Sequence, residues 1–170
     1  MLFRSGAGMI IPFSSGTPID LSIPSSSYLS SSGALVSYGR HRSGVGGFSN
    51  TSWSPSAAEY GGDIFVVPQA GTLKELHALF AFTAMPVAGV FGAIAISLYS
   101  APAGSSTFSR LGLYNMDFTS PATGDIVQQS FSGLSHELTA GTKLLIVVIA
   151  QSSYGPHAIN GCLSGSIVIS

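Results

Sequence analysis

An all-β, antiparallel β-sandwich is the fold this sequence predicts, and three observations predict it. Short apolar or alternating runs recur along the 170 residues, separated by turn signals rich in Gly, Ser and Pro. Charged residues make up only 8 % of the chain against 45 % hydrophobic, a balance typical of turn-rich β-proteins rather than charged helical ones. No heptad run or internal repeat competes with that pattern. About eight to ten such strands point to a sandwich or jelly roll.

The elements follow in order. Met9 to Phe13 is a first strand, closed by Ser14, Ser15, Gly16 and Pro18. Ser22 to Ser32 contains Pro24 and reads as a loop. Ala34 to Tyr38 is a short strand, and Gly39 to Ala58 a Gly- and Ser-rich loop with Trp53 alone in it. Asp63 to Val67 is a strand ended by Pro68. Thr72 to Ala84 has two readings. Thr72 with Glu75 is a capping box, and Leu73, Leu76 and Phe80 keep helical spacing. Leu76, Ala78, Phe80, Phe82 and Ala84 also line one strand face, and the aromatic pair favours the strand. Phe91 to Ser100 puts Ile94, Ile96 and Leu98 on one side. Thr107 to Asn115 and Gly124 to Phe131 follow, the latter after a Pro121–Gly124 turn. Lys143 to Ala150 contains a continuous apolar run, and Ala158 to Ile169 closes the chain with Ile159, Leu163, Ile167 and Ile169 on one face.

Ala78 to Tyr99 carries no charge and is long enough to span a bilayer. Pro86, Gly89 and Gly92 near its middle oppose a helix, and no basic cluster flanks it. Two strands joined by a Met85–Gly92 loop explain the same residues, so no membrane span is expected.

Two strands fail to alternate. Leu79 and Ala81 are apolar opposite Phe80 and Phe82, and Leu144 to Ala150 is apolar on both faces. A sandwich strand normally meets water on one face, so a two-sided strand needs a second burial. Contact between subunits is the simplest source and a covering loop the competitor. Strand alternation then turns His77, Leu79 and Ala81 toward a neighbour while Phe80 and Phe82 fill the core.

The chemistry-bearing residues are sparse. A net charge of −1 argues against nucleic acid, since Arg40, His41 and Arg42 are too few for a basic patch. The single Cys162 excludes an internal disulfide. The carboxylates Asp20, Glu59, Asp63, Glu75, Asp117, Asp125 and Glu137 form no metal or catalytic spacing. Asp117 and Asp125 could share a loop calcium, but exposed turn carboxylates explain them as well. His41, His77, His136 and His157 do not pair as ligands, and His136 and Glu137, adjacent on a strand, face opposite ways. No nucleophile elbow is present. No catalytic residue, cofactor or metal is therefore assigned, and no enzyme activity is expected. Asn50-Thr51-Ser52 is a glycosylation sequon, and Ser25 to Ser32 suits O-linked sugar.

The stretch Gly6-Ala7-Gly8-Met9-Ile10-Ile11-Pro12-Phe13-Ser14-Ser15-Gly16-Thr17-Pro18 resembles the opening of the C-terminal domain of BclA/BclB-type exosporium collagen-like glycoproteins of spore-forming bacteria. Gly71 to Leu76, Leu138 to Leu145 and Gly165 to Ser170 are similar to later strands of that family, whereas residues 20–62 match it poorly. The resemblance implies a TNF-like, complement-head-like jelly roll that forms a homotrimer and caps an upstream collagen-like stalk. It places the protein outside the cell, on a spore exosporium or cell surface. Met1 to Gly8 has no continuous apolar core after Arg4 and reads as a stalk remnant or linker cut from a longer chain. Residues 9–170 read as one domain. A second role shares the architecture: a receptor- or glycan-binding tip, as in an adhesin or phage-tail fibre, with Trp53, Tyr60 and Tyr154 as exposed contact aromatics.

Overall fold

The computed structural model describes residues 3–5, 8–24, 32–46, 51–55, 60–84, 89–153 and 157–170. Fourteen strands are found among them: β1 (Phe3–Ser5), β2 (Gly8–Ser14), β3 (Ile19–Ile23), β4 (Gly33–Val36), β5 (His41–Val45), β6 (Ser52–Trp53), β7 (Phe65–Val66), β8 (Gly71–Ala84), β9 (Phe91–Ala101), β10 (Phe108–Thr119), β11 (Ile126–Phe131), β12 (His136–Leu138), β13 (Lys143–Ser152) and β14 (His157–Ile169). A 3-10 turn, Gly61–Asp63, precedes β7.

The strands form two antiparallel sheets. The first runs β1-β2-β14-β8-β11, with β3 on β14 and β12 on β8. The second runs β5-β4-β13-β9-β10-β6, with β7 on β13. The eight principal strands pair as nested hairpins: β2 with β14, β4 with β13, β8 with β11, and β9 with β10. The inner faces meet in one core. Ile11, Phe13, Leu76, Phe80, Phe82, Leu163 and Ile167 come from the first sheet, and Ile94, Ile96, Leu98, Met116, Ile146 and Val148 from the second. Alternation produces this directly, since every second residue of each strand points inward.

Thr72 to Ala84 is a strand, and the capping box is not used as one. Leu73, Leu76, Ala78, Phe80 and Phe82 are buried on β8, and the rings of Phe80 and Phe82 meet edge-on at 5.1 Å. Burying a whole period-2 face outweighs a few tenths of a kcal/mol of helical capping and propensity. At Gly161 of β14 a Cβ would run into the Phe80 ring, so glycine is what lets that ring lie on the backbone. No helix among the described residues is long and apolar enough to cross a membrane, and Ala78 to Tyr99 divides between β8 and β9. Of the expected Met85–Gly92 loop, residues 85–88 lie outside the described residues, and the strand β9 already begins at Phe91.

Several expectations about loops need correction. The loop expected from Ser22 onward starts later, because Ser22 lies inside β3, where Ile19, Leu21 and Ile23 alternate with Asp20 and Ser22 and are buried. Gly39 to Ala58 contains β5 and β6. β10 continues past Asn115, carrying Met116 and Phe118 into the core. Asp63 belongs to the turn and not to the strand that follows it.

Candidate interaction faces

The outer side of the first sheet is built by the residues that alternate with its core. Cross-strand register places Ile10, Val168 and Glu75 in one row across β2, β14 and β8. Pro12, Ser166, His77 and Ser130 form the next, and Ser14, Ser164, Leu79 and Gln128 the one after it. Cys162, Ala81 and Ile126 follow. His77, Leu79 and Ala81 are half-buried there, and Ile126 is 57 % exposed. Within these four rows Glu75 is the one formal charge. His77 ties it down: Nε2 lies 2.8 Å from Glu75 Oε2, and Nδ1 lies 2.9 Å from Ser130 Oγ. Beside this pair is a shallow hollow of about 440 Å³ lined by His77, Leu79, Gln128, Ser130 and Ser164. Small hydroxyl and amide side chains leave the surface flat, with an apolar component but little charge to desolvate.

The second sheet differs. β13 is apolar on both sides, but its second side is closed by its own chain. Leu145 and Val147 are fully buried with Leu35, Val45, Trp53, Tyr99, Ala101 and Phe108, and Tyr60, Ile64 and Ile149 pack against that cluster. The expectation that a neighbouring subunit must bury the Leu144–Ala150 run is therefore corrected. Val45 of β5, Trp53 of β6, Tyr60 and Ile64 supply this packing. Central strands of a covered sheet read as continuous apolar runs for this reason.

Trp53, expected as an exposed contact, is 5 % exposed. It sits on β6 at the edge of β10, with its ring 5.9 Å from Tyr99 and 5.5 Å from Tyr60. It seals the second cluster because so large an apolar surface gains more from burial than from water. Tyr60 is half-buried beside it. Tyr154 lies outside the described residues, as do Asn50 of the sequon, Glu59 and residues 25–31 of the serine run.

His41 and Arg42 open β5, and Arg40 stands just before it. Asp63, with its side chain 3 % exposed, takes both arginines: Arg40 Nε is 2.9 Å from Oδ1 and Arg42 Nε 3.4 Å from Oδ2. The Ser37 hydroxyl donates to Oδ1 at 3.2 Å. The Arg42 guanidinium lies 5.4 Å from the centre of the Tyr60 ring. His41 Nδ1 is 3.2 Å from the Ser15 carbonyl oxygen. No spacing in the sequence pairs Asp63 with residues 21 or more positions away, so this cluster could not be read from it.

Asp117 is exposed on β10, and Asp125 accepts the Ala122 backbone N–H at 2.7 Å, which closes the Pro121–Gly124 turn. No group of three metal-ligating side chains occurs among the described residues. His136 and Glu137 lie in β12, and Glu137 accepts the Thr72 hydroxyl at 2.7 Å.

Burial pushes the phenols of Tyr99 and Tyr114 above 10.0; for Tyr99, Arg110 and Ser97 act in the opposite direction but more weakly. A phenol that resists ionisation in the fold but ionises normally when unfolded stabilises fully below pH 10.0. That stability is lost as pH rises through the folded pKa. Thermal midpoints followed by circular dichroism should fall as pH rises above about 10, and Tyr99→Phe should lessen the fall. An equal decline in the variant would remove Tyr99 as its source.

The sequence matches no family model and no curated protein.

Proposed function

We propose that this domain is a structural head: a jelly roll that assembles as a homotrimer and caps a collagen-like filament outside the cell, on a spore exosporium or cell surface. The observation that carries the reading is the contrast between the two sheets. In the second sheet the two-sided strand β13 is closed on its outer side by its own chain, although Phe91 and Leu113 stay exposed on β9 and β10. In the first sheet Ile10, Pro12, Val168, Leu79 and Ala81 are half-buried and Ile126 exposed on the outer side. A second copy is the occupant that fits. The face is flat and nearly uncharged, so an identical face can approach without like-charge repulsion. With 8 % charged residues, the chain also has little charge with which to keep an isolated subunit soluble.

The nested pairing of first with eighth, second with seventh, third with sixth and fourth with fifth principal strand supports the jelly roll. β1 and β2, which open the chain, belong to the same sheet as the uncovered face. Self-association there brings the N-terminal segments of the copies together, as three stalk strands held in register require. The likeness of residues 6–18 to the opening of exosporium glycoprotein heads supports the stalk and the location.

Light scattering on the purified domain tests the reading. At micromolar concentration the mass should be close to three times 17.4 kDa. A mass of one subunit overturns it. A ligand-binding tip is a compatible second role, favoured by a separate observation, the Arg40–Asp63–Arg42 cluster against Tyr60.

A further inference from the structure

We propose that Arg40 and Arg42, held on Asp63 beside Tyr60, bind the carboxylate of an acidic sugar. The inference rests on the tip role, whose ligand class it names, and it is independent of self-association, since the cluster lies at the β4–β5 edge of the second sheet.

Charge is the first argument. One guanidinium neutralises one carboxylate, yet two are placed on Asp63, which leaves this trio with an excess of one positive charge among the described residues. In a chain with only six Lys and Arg residues, two on a single buried acid are not dilute surface charge. Each keeps about half of its side chain in solvent, 56 % for Arg40 and 50 % for Arg42, so both can reach a ligand without opening the fold.

Preorganisation is the second. Asp63 is buried and further held by the Ser37 hydroxyl, which makes it an anchor for both forks. The Arg40 guanidinium lies directly over Gly62, where a Cβ would collide with it, and its Nε also donates to the Ser37 hydroxyl at 3.3 Å. Arg42 rests on Tyr60, and Tyr60 rests on Trp53. Side chains fixed in this way lose little entropy on binding. Planar guanidinium forks match a carboxylate in two parallel hydrogen bonds.

The neighbouring aromatics select a sugar over a bare anion. Tyr38 is 48 % exposed, with its ring set edge-on to Phe65 at 4.6 Å, and it lies two residues from Arg40. In the turn closed by the Ser37 N–H on the Arg40 carbonyl it offers apolar ring surface for the C–H face of a pyranose beside the cationic forks.

Titration by nuclear magnetic resonance of the intact domain tests this with four probes: sialyl-lactose, a hyaluronan tetrasaccharide, lactose and sodium sulfate. Saturable binding of at least one acidic sugar is expected, with shifts centred on Arg42 and Tyr60 and neither lactose nor sulfate matching it. Arg42→Lys keeps a cation on Asp63 but loses the fork and the stacking, so affinity should fall about tenfold or more while the thermal midpoint holds. Failure of both acidic sugars to bind overturns the inference, as does undiminished binding by Arg42→Lys. Equal binding of lactose overturns the acidic preference while leaving a glycan-binding tip standing. Equal binding of sulfate reduces the site to a simple anion contact and also overturns it.

Discussion

Leu79→Asp is expected to yield a folded single subunit in place of the proposed trimer. Leu79 stands in the middle of β8 on the uncovered side of the first sheet, between Ser164 of β14 and Gln128 of β11. In an isolated subunit an aspartate there reaches water from an open face and costs the fold little. In the proposed trimer each subunit would carry one such carboxylate into a desolvated contact. The effective cost is several kcal/mol per buried ion, which weakens association by about a hundredfold or more. Light scattering should report the mass of one chain, and circular dichroism an unchanged β spectrum with a cooperative melt. A trimer that survives the substitution would remove this face from the interface. A variant that fails to fold would show that Leu79 is covered by its own subunit, and the contrast between the two sheets would disappear.

The strands that bury one alternating face were legible in the sequence. Phe80 and Phe82 on β8, Ile94, Ile96 and Leu98 on β9, and Ile159, Leu163 and Ile167 on β14 all point inward as their spacing demands. Alternation reports that a side chain is buried but not what buries it. Leu79 and Leu145 look alike in sequence, each an apolar residue on the second side of a strand. The structure separates them because Val45, Trp53 and Tyr60 pack in one cluster with Leu145, whereas Leu79 stays half-buried. The cover itself was illegible for the same reason that it works as one. His41-Arg42-Ser43-Gly44-Val45 and Ser52-Trp53 are too short and polar to carry a period, and their place is set by tertiary contacts. β3 could have been found, since Ile-Asp-Leu-Ser-Ile alternates cleanly, but Pro18 and Pro24 on either side suggested a loop. Trp53 misled because it stands alone among glycine and serine. A large aromatic is more often buried than displayed, and that general rule would have placed it correctly.

Val147→Asp should have the opposite signature to Leu79→Asp, namely loss of the folded subunit itself. Val147 is fully buried on the second side of β13, opposite Leu35 of β4 and Ser97 of β9. Gly33 passes so close that a Cβ there would come within 2.8 Å of Val147 Cγ1, which leaves no room for water to follow a new carboxylate inward. The aspartate must be buried as an ion, or protonated, or must displace the packed side chains Val45, Trp53 and Tyr60. Each route costs several kcal/mol, a large fraction of the roughly 5–15 kcal/mol that holds a domain of this kind together. Urea denaturation should show the midpoint collapsing or no folded baseline at all. A Val147→Asp protein that melts like the parent but no longer trimerises would mean that the second sheet, and not the first, carries the contact between subunits. The two variants together thus divide the apolar surface of this chain into what each subunit keeps for itself and what it shares.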